Sequence, residues 1–196
     1  MTPWALTDPS EYLSQDLRAH AILNDVPLHD VWRLDLPGGG DGRTVADIHS
    51  LVLASRPSGL VRLLFVIRRL LGQLFGWDRQ SVGDDGLFQL RITEADRARS
   101  TVATGTKDGP FTVLYVHPTE AMSEIRNSTV HSALVWVLLR RKDGYRLLWA
   151  IYVKPVGRLT AFYMFLIDPF RRWVVYPSLL RSLHRSWCLT YHSTTT

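Results

Sequence analysis

The chain has 196 residues, of which 46% are apolar and 21% are charged. This is the length of one ordinary domain with enough apolar material for a core, so the composition excludes a disordered chain. The net charge of +5 and the pI near 9.7 would permit attraction to phosphates, but the basic residues are scattered, which disfavours a nucleic-acid partner. The single cysteine, Cys188, excludes an internal disulfide and is interpreted as a small apolar side chain in a reducing compartment.

The sequence shows no signal for export and no membrane span. Met1 to Asp8 contains no basic cluster followed by an apolar run, so we expect a cytoplasmic protein. Two stretches are strongly apolar, Leu60–Phe75 and Leu159–Leu180, but charged residues interrupt both of them. Neither stretch is therefore predicted to cross a bilayer.

Residues 1–25 predict a helical extension ahead of a single domain at 26–191, and residues 192–196 predict a disordered tail. Asp8 and Pro9 have the order of a helix cap followed by proline at the first helical position. Apolar residues then follow at helical spacing, so we expect one short amphipathic helix. Its apolar residues are Tyr12, Leu13, Leu17, Ala21 and Leu23.

A strand is predicted at His29–Leu36, where apolar residues alternate. Pro37 and three glycines end this strand. Because no Gly-Lys-Ser/Thr follows the glycines, they are interpreted as a turn rather than as a phosphate loop. Thr44, with Asp47 three residues later, resembles a capping arrangement and predicts a helix that ends before Pro57.

Three further segments are predicted before the composition becomes rich in branched and aromatic residues. A second amphipathic helix is expected at Leu60–Phe75, a short strand at Leu87–Ile92, and one or two capped helical turns at Thr93–Arg99.

The next part of the chain predicts a consecutive antiparallel meander, because four segments rich in branched and aromatic residues are separated by turn signals. The strands are Phe111–His117, Ala121–Ile125, Thr129–Leu139 and Tyr145–Val153. Asp143 and Gly144 form a two-residue hairpin signature between the last two strands. The register that follows pairs Lys142 with Tyr145, Val137 with Ala150, Val135 with Tyr152 and Ala133 with Lys154.

This register sorts the last two strands into a bulky face and a face with small central side chains. The face with small central side chains ends in polar groups, as a sheet that lines a pocket would. It holds His131, Ala133, Val135, Val137, Leu139, Leu148, Ala150, Tyr152 and Lys154. The bulky face holds Leu134, Trp136, Leu138, Leu147, Trp149, Ile151 and Val153.

Both faces are apolar, so both need cover from helices or from a second subunit. Leu134, Trp136, Trp149, Ile151 and Val153 form a surface that the helices between Thr44 and Phe75 would leave partly open. This surface predicts a homodimer.

The last third of the chain predicts one long helix that lies across the sheet. Apolar residues recur at three- and four-residue spacing through residues 159–187. The residue before a proline is disfavoured in a helix, so Pro169 and Pro177 should each bend or briefly break it.

The segment Asp168–Tyr176 is therefore a candidate hinge over a ligand cavity. Arg171 and Arg172 would meet an anionic group of an incoming substrate there. A packing kink with solvated arginines is the alternative.

Six strings of residues form a recognisable pattern: His29-Asp30-Val31-Trp32, Phe75-Gly76-Trp77-Asp78, Ser123-Glu124-Ile125-Arg126-Asn127, Lys154-Pro155-Val156-Gly157-Arg158-Leu159, Ile167-Asp168-Pro169-Phe170-Arg171-Arg172 and Tyr176-Pro177. With these strings, residues 26–191 resemble the domain-of-unknown-function family 2867. That family is grouped with the START-like, Bet v 1-like (SRPBCC) helix-grip superfamily, which includes polyketide cyclases and lipid-transfer proteins. The resemblance implies an α+β fold in which a curved antiparallel sheet wraps on a long C-terminal helix, with an internal cavity between them. No catalytic residue can be transferred, because the family has no agreed catalytic motif.

The residue types favour acid–base chemistry by isolated side chains over metal or nucleophile chemistry. Histidine, cysteine and carboxylate residues show no metal-ligand spacing, and the chain has no Gly-x-Ser-x-Gly elbow, so neither a metal nor a cofactor is expected. An apolar cavity would shift the pKa of a carboxyl, imidazole or phenol group into a useful range. The candidate catalytic residues are His131, Tyr152, Glu124 and Arg126. The candidate ligand-binding residues are Tyr115, His117, Val135, Val137, Ala150, Lys154, Tyr163 and Phe170.

We therefore expect the protein to bind a polyketide-, polyene- or lipid-like molecule in an internal cavity. We further expect it to catalyse a cofactor-free cyclisation, dehydration or isomerisation of that molecule. A non-catalytic carrier or sensor of hydrophobic ligands is the alternative, and a structural partner module with a filled core is a third possibility. For individual residues, a structural salt bridge is the alternative for Glu124 and Arg126, and simple solvent exposure is the alternative for His131 and Lys154.

Overall fold

The computed structural model describes residues 2–54, 87–126, 131–154 and 168–191. Within these residues, seven antiparallel strands form one sheet in the order β1-β2-β7-β6-β5-β4-β3. The fold is therefore α+β, with a sheet and a C-terminal helix, an arrangement consistent with a helix grip. The strands are β1 (Trp4–Leu6), β2 (Leu28–Pro37), β3 (Lys107–Asp108), β4 (Phe111–Val116), β5 (Glu120–Arg126), β6 (His131–Arg141) and β7 (Gly144–Lys154).

The helices lie before β2, between β2 and β3, and after β7. They are α1 (Ser10–Leu13), α2 (Arg18–Ile22), α3 (Val45–Ala54), a 3₁₀ helix (Phe88–Arg91), α4 (Glu94–Arg99) and α5 (Tyr176–Tyr191). A π-helical turn at Arg171–Val175 leads directly into α5. No helix of the described ranges is both long and apolar enough to cross a membrane.

Each face of the sheet packs against its own set of helices. Helices α3 and α5 cover what we call the C-terminal face, which includes Trp32, Leu34, Trp149 and Ile151. Helices α1 and α2, together with the 3₁₀ helix, cover what we call the N-terminal face. That face includes the small side chains predicted to line a pocket, among them Ala133, Val135, Val137 and Ala150. The C-terminal helix and the predicted pocket residues therefore lie on opposite faces of the sheet.

The predicted hairpin between β6 and β7 forms, but its register differs from the predicted one by two residues. Residues 142–143 occupy the turn, and Arg141 pairs with Gly144. A shift of two residues leaves every side chain on its predicted face, because side chains alternate with a period of two. The observed pairs are Val137 with Leu148, Val135 with Ala150, Ala133 with Tyr152 and His131 with Lys154.

The reason for the shift is the contact between Gly144 and the neighbouring strand β2. Gly144 has a φ of +149°, and a Cβ added there would lie 2.2 Å from the carbonyl oxygen of Leu36 on β2. The glycine therefore permits β2 to approach the start of β7, and it is not a central residue of the turn.

The predicted N-terminal helix is wrong, because the chain forms two short helices there. Leu17 is extended, with φ −115° and ψ 140°, and it separates α1 from α2. The carboxylate of Glu120 on β5 accepts hydrogen bonds from the backbone N–H groups of Arg18 and Ala19, at 3.0 and 2.8 Å. A side chain from the sheet therefore fixes the start of α2.

The predicted strand at Leu87–Ile92 is also wrong, because this segment is a 3₁₀ helix. The backbone N–H groups of Phe88 and Gln89 donate to the carboxylate of Glu124, at 2.8 and 3.1 Å, instead of pairing with a strand. The capped turn predicted next is confirmed, since Thr93 and Asp96 form a capping box at the start of α4.

The surface on which a homodimer was predicted is largely covered within the chain. Trp149 and Val153 are each 8% exposed and Ile151 is 1% exposed, while Leu134 and Trp136 are partly buried. This face therefore gives the homodimer no support. The predicted helix at Leu60–Phe75, the part of the long helix before residue 168 and the tail at 192–196 lie outside the described residues.

Candidate functional site

The structure brings two of the predicted catalytic residues into direct contact on the N-terminal face. The imidazole Nε2 of His131 lies 2.6 Å from Oε1 of Glu124, and both side chains are 4% exposed. His131 is therefore buried, which excludes its alternative as a solvated residue at a strand end. The ring of Phe88 stacks on the imidazole, with 3.9 Å between the ring centroids.

Glu124 is nevertheless occupied by structural hydrogen bonds. Its Oε1 accepts from Phe88 N–H as well as facing His131, and its Oε2 accepts from Gln89 N–H. The carboxylate thus holds the 3₁₀ helix against the sheet. Arg126 pairs with His131 across the strands, so it lies beside this group.

Two predicted tyrosines of the N-terminal face also have partners. The hydroxyl of Tyr152 donates to the hydroxyl of Tyr12 at 3.2 Å, and that of Tyr115 donates to Glu120 at 2.6 Å. Burial raises the pKa of Tyr152 and raises that of Tyr115 well above its usual value. Both phenols are consequently protonated at neutral pH.

His117 completes this polar group at the edge of the face. Its ring stacks on Tyr115, with centroids 4.5 Å apart, and its Nε2 lies 3.2 Å from the carbonyl oxygen of Asp96. A carbonyl can only accept, so Nε2 carries the proton. The ring therefore holds α4 to β4.

The remaining predicted ligand-binding residues do not form one group. Val135, Val137 and Ala150 are buried in the cluster of the N-terminal face. Lys154 is partly exposed, with its Nζ 3.7 Å from a carboxylate oxygen of Asp25. Phe170 is 54% exposed and precedes the π-helical turn, so the structure does not bring it to these residues. Tyr163 lies outside the described residues.

A second polar cluster, which we call the arginine cluster, lies where the π-helical turn meets β2. Asp30, whose side chain is 1% exposed, accepts hydrogen bonds from Arg171 at 3.0 Å and Arg172 at 2.8 Å. Arg171 also lies 3.3 Å from Asp168, which in turn lies 3.1 Å from the imidazole of His29. Both arginines thus pair with Asp30 and are not free for a substrate. The side chain of Arg171 is 14% exposed and that of Arg172 is 39% exposed.

Pro169 and Pro177 do not break the helix in this part of the chain. The backbone stays helical through residues 168–191 and widens into the π-helical turn between the two prolines. A π-helical turn is an insertion that often accompanies a functional site. Here it directs Arg171 and Arg172 together towards Asp30.

An aromatic group on the C-terminal face lies beside the arginine cluster. Tyr176 meets Trp32 and Trp149 edge-on, with centroid distances of 5.5 and 4.8 Å. The guanidinium of Arg171 lies 5.1 Å from the centre of the Tyr176 ring. Burial raises the pKa of Tyr176 to about 12, against the opposing charge of Arg171.

The two tryptophans of this group have buried indole nitrogens without an acceptor. Trp32 and Trp149 are directly paired across β2 and β7 and are 5% and 8% exposed. Among the described residues, neither indole N–H finds a hydrogen-bond partner. Such groups are rare in native proteins and require an explanation.

Sequence reasoning did not assign a site role to Asp30, Trp32, Trp149 or Tyr176. A signal for three of them was present, since Asp30, Trp32 and Tyr176 lie in the strings that carry the family resemblance. Residues of two strings about 140 positions apart, His29–Trp32 and Ile167–Arg172, meet in the arginine cluster.

The described residues contain no group of three or more histidine, cysteine or carboxylate side chains that could hold a metal ion. An open depression of about 500 Å³ lies at the β6–β7 turn, lined by Gly38, Gly40, Arg140 and Asp143 among others. It lies at the opposite end of β6 from His131, away from both polar groups, and it is open to solvent.

Comparison with known proteins gives one match. A family model described as "Protein of unknown function (DUF2867)" matches residues 22–178, which is well over half of the chain. No curated protein and no solved structure matches.

Proposed function

Since the chain belongs to the DUF2867 family of proteins of unknown function, we propose a function from its own geometry. We propose that it binds an apolar small molecule carrying oxygen atoms in an internal cavity between the sheet and the C-terminal helix. We further propose that it catalyses a cofactor-free cyclisation, dehydration or isomerisation of that molecule. Polyketide-, polyene- and lipid-like molecules fit this description, in keeping with the helix-grip proteins that the chain resembles.

The observation that carries the proposal is the pair of unpartnered indole N–H groups of Trp32 and Trp149. A buried donor without an acceptor costs about 1–3 kcal/mol. An oxygen atom of a bound molecule would accept a hydrogen bond from these indole N–H groups. The surrounding apolar side chains would contact the rest of the molecule. The ligand expected here is therefore one with carbonyl or hydroxyl oxygens on a largely hydrocarbon frame.

The proposed chemistry uses the groups next to these tryptophans. Tyr176 is protonated at neutral pH, as any phenol is, and burial raises its pKa further to about 12, so its hydroxyl can donate a hydrogen bond to a ligand carbonyl. The imidazole of His29, held by Asp168 at 3.1 Å, is the candidate base within the arginine cluster. Polarising a carbonyl while removing a neighbouring proton is the common step of enolisation, dehydration and aldol-type ring closure.

The His131–Glu124 pair offers a second position for the same chemistry. A carboxylate that holds an imidazole at 2.6 Å is the arrangement by which proteins orient a general base. If the reaction occurs there, replacing His131 or Tyr152 abolishes turnover while ligand binding survives.

A non-catalytic carrier is the alternative function, and a specific observation favours it. Both oxygens of Asp30 and both oxygens of Glu124 already accept hydrogen bonds from the protein. Carboxylates used in this way hold the structure together and are already occupied by partners within the protein. A carrier would show altered affinity in the variants below and no product with any ligand.

The first experiment is native mass spectrometry of the purified protein, which should show a retained small molecule. The second measures binding of cis-parinaric acid, a fluorescent polyene fatty acid, to the Trp149→Phe and Trp187→Phe variants. Both changes remove the same volume, but the indole N–H of Trp187 already donates to the carbonyl of Pro37 at 2.9 Å.

We expect Trp149→Phe to weaken binding about tenfold, the effect of about 1.4 kcal/mol for one hydrogen bond. Trp187→Phe should instead lower stability and leave affinity nearly unchanged. Equal affinities in the wild type and Trp149→Phe, together with no retained molecule, would exclude this site.

A further inference from the structure

The outward side of the C-terminal helix carries three large apolar side chains in water. Trp173 is 80% exposed, Leu189 is 75% exposed and Phe170 is 54% exposed. The described residues contain six exposed large apolar side chains, and these are half of them. An isolated exposed leucine needs no explanation, but an exposed tryptophan beside a phenylalanine does.

Basic residues share the side of α5 on which Leu189 lies. Arg181 and Arg185 are exposed, and α5 contains no aspartate or glutamate over its whole length. Arg181 also lies over the ring of Trp4, at 5.5 Å from the ring centre, which adds a further aromatic residue to this side. With 3.6 residues per turn, Arg181, Arg185 and Leu189 span about 80° of the helix.

The opposite side of α5 is fixed to the sheet, so the exposed side cannot turn inward. Leu180, Leu183 and Trp187 are at most 5% exposed and belong to the core of the C-terminal face. We call Phe170, Trp173, Arg181, Arg185 and Leu189 the outer stripe. Its residues are held facing outward by the same helix that completes the core.

We propose that the outer stripe is a docking surface for a membrane containing anionic phospholipid. The guanidinium groups would meet the headgroups, and the indole of Trp173 would enter the boundary between headgroups and acyl chains, where tryptophan is favoured. Charge complementarity supports this partner, because the stripe has two arginines and no acidic residue. A protein partner would need a matching pocket for a protruding tryptophan, whereas a lipid surface accepts it without one. The proposal does not depend on the ligand proposed above.

The test is co-sedimentation of the whole protein with vesicles of phosphatidylcholine alone and with vesicles that also contain phosphatidylserine. We expect binding to the second kind that decreases as salt is added. Arg181→Glu/Arg185→Glu should weaken this binding at least about 25-fold, since each basic residue near the surface contributes about fivefold and glutamate adds repulsion. Phe170→Ala/Trp173→Ala should weaken binding to the phosphatidylserine vesicles at least about tenfold, because it removes the apolar side chains that enter the lipid.

Matched controls come from α4 and the 3₁₀ helix. Arg97→Glu/Arg99→Glu reverses two exposed arginines elsewhere, and Leu90→Ala removes an apolar side chain that is 66% exposed. Both should bind vesicles as the wild type does, and circular dichroism should show all variants folded. The proposal is overturned if the wild type does not sediment with phosphatidylserine vesicles, or if the control and stripe variants lose binding equally. Retention of the protein by an acidic protein or nucleic acid, without retention by vesicles, would also overturn it.

Discussion

The buried carboxylate of Glu124 leads to a prediction about stability whose size follows from its hydrogen bonds. Oε1 faces the N–H of Phe88 and the imidazole of His131, and Oε2 faces the N–H of Gln89. In Glu124→Gln one of these oxygens becomes an NH₂ group. In either orientation the amide places a donor against a backbone donor.

The less damaging orientation loses one hydrogen bond to a charged acceptor, worth about 1.5–3 kcal/mol, and weakens the other two. We therefore expect Glu124→Gln to lower the free energy of unfolding by about 2–4 kcal/mol, and the melting temperature by roughly 5–15 °C for a domain of this length.

Urea unfolding followed by circular dichroism measures this change, and amide hydrogen exchange locates it. Exchange at Phe88 and Gln89 should rise before exchange in β6 does, because the 3₁₀ helix is the element released. Glu94→Gln is the matched control, since Glu94 is exposed in the first turn of α4. It should change stability by no more than about 0.5 kcal/mol. A Glu124→Gln protein within 0.5 kcal/mol of the wild type would refute the reasoning.

Three further predictions concern other contacts. Gly144→Ala should cost more than about 2 kcal/mol, since its Cβ would meet a backbone carbonyl oxygen at 2.2 Å. Gly109→Ala, at φ +56° with nothing within 4 Å, should cost only about 1 kcal/mol in the same urea assay; equal losses would contradict this. Asp30→Asn removes the carboxylate that pairs with Arg171 and Arg172, and among the described residues only Arg171 keeps a second carboxylate partner, Asp168 at 3.3 Å. It should cost about 2–3 kcal/mol after allowance for the partial exposure of Arg172, whereas Asp41→Asn, at a carboxylate 92% exposed, should be neutral. Above pH 10 the unfolded chain loses the Tyr176 proton, while the folded chain holds it to about pH 12. The free energy of unfolding should therefore fall as the pH rises from 10 to 12, by up to about 1.4 kcal/mol per pH unit. If Tyr176→Phe shows the same slope as the wild type, another group is responsible.

The composition of the two sheet faces was predictable because it depends only on alternation. The alternating pattern in β6 and β7 separates Trp136 and Trp149 from Val135 and Ala150 under any even register, so the two-residue error at the hairpin changed no face. The register itself was not predictable from the turn signal, because Gly144 is required by Leu36, more than 100 positions earlier.

The errors in the helices have a common physical cause. Glu120 and Glu124 lie four residues apart on β5 and point to the same face, and each accepts two backbone N–H groups at the start of a helix. Propensity and periodicity describe contacts within a segment. A carboxylate supplied by a strand about 35 to 100 positions away changes the segment's conformation without leaving a signal in it.

The candidate site shows the same division between local and long-range information. The sequence indicated that His131 and Glu124 are chemically relevant but gave no means of knowing that they touch. Its strings placed Asp30 and Arg171 in the family pattern but suggested a substrate as the partner of the arginine. In the structure the partner of Arg171 is Asp30 instead. The negative charge of Asp30 is thus paired within the chain with the positive charges of Arg171 and Arg172.

The hydrogen bonds on the two faces of the sheet argue for different roles. On the N-terminal face the carboxylates of Glu120 and Glu124 are engaged by helix backbone and by a neighbouring side chain, so a change there should first release a helix. On the C-terminal face two indole donors have no acceptor among the described residues, so a bound molecule can improve the hydrogen bonding without disturbing a helix. A ligand therefore gains more hydrogen-bond energy on the C-terminal face. We expect Trp149→Phe to lose ligand binding without losing stability, and Trp187→Phe to lose stability without losing binding.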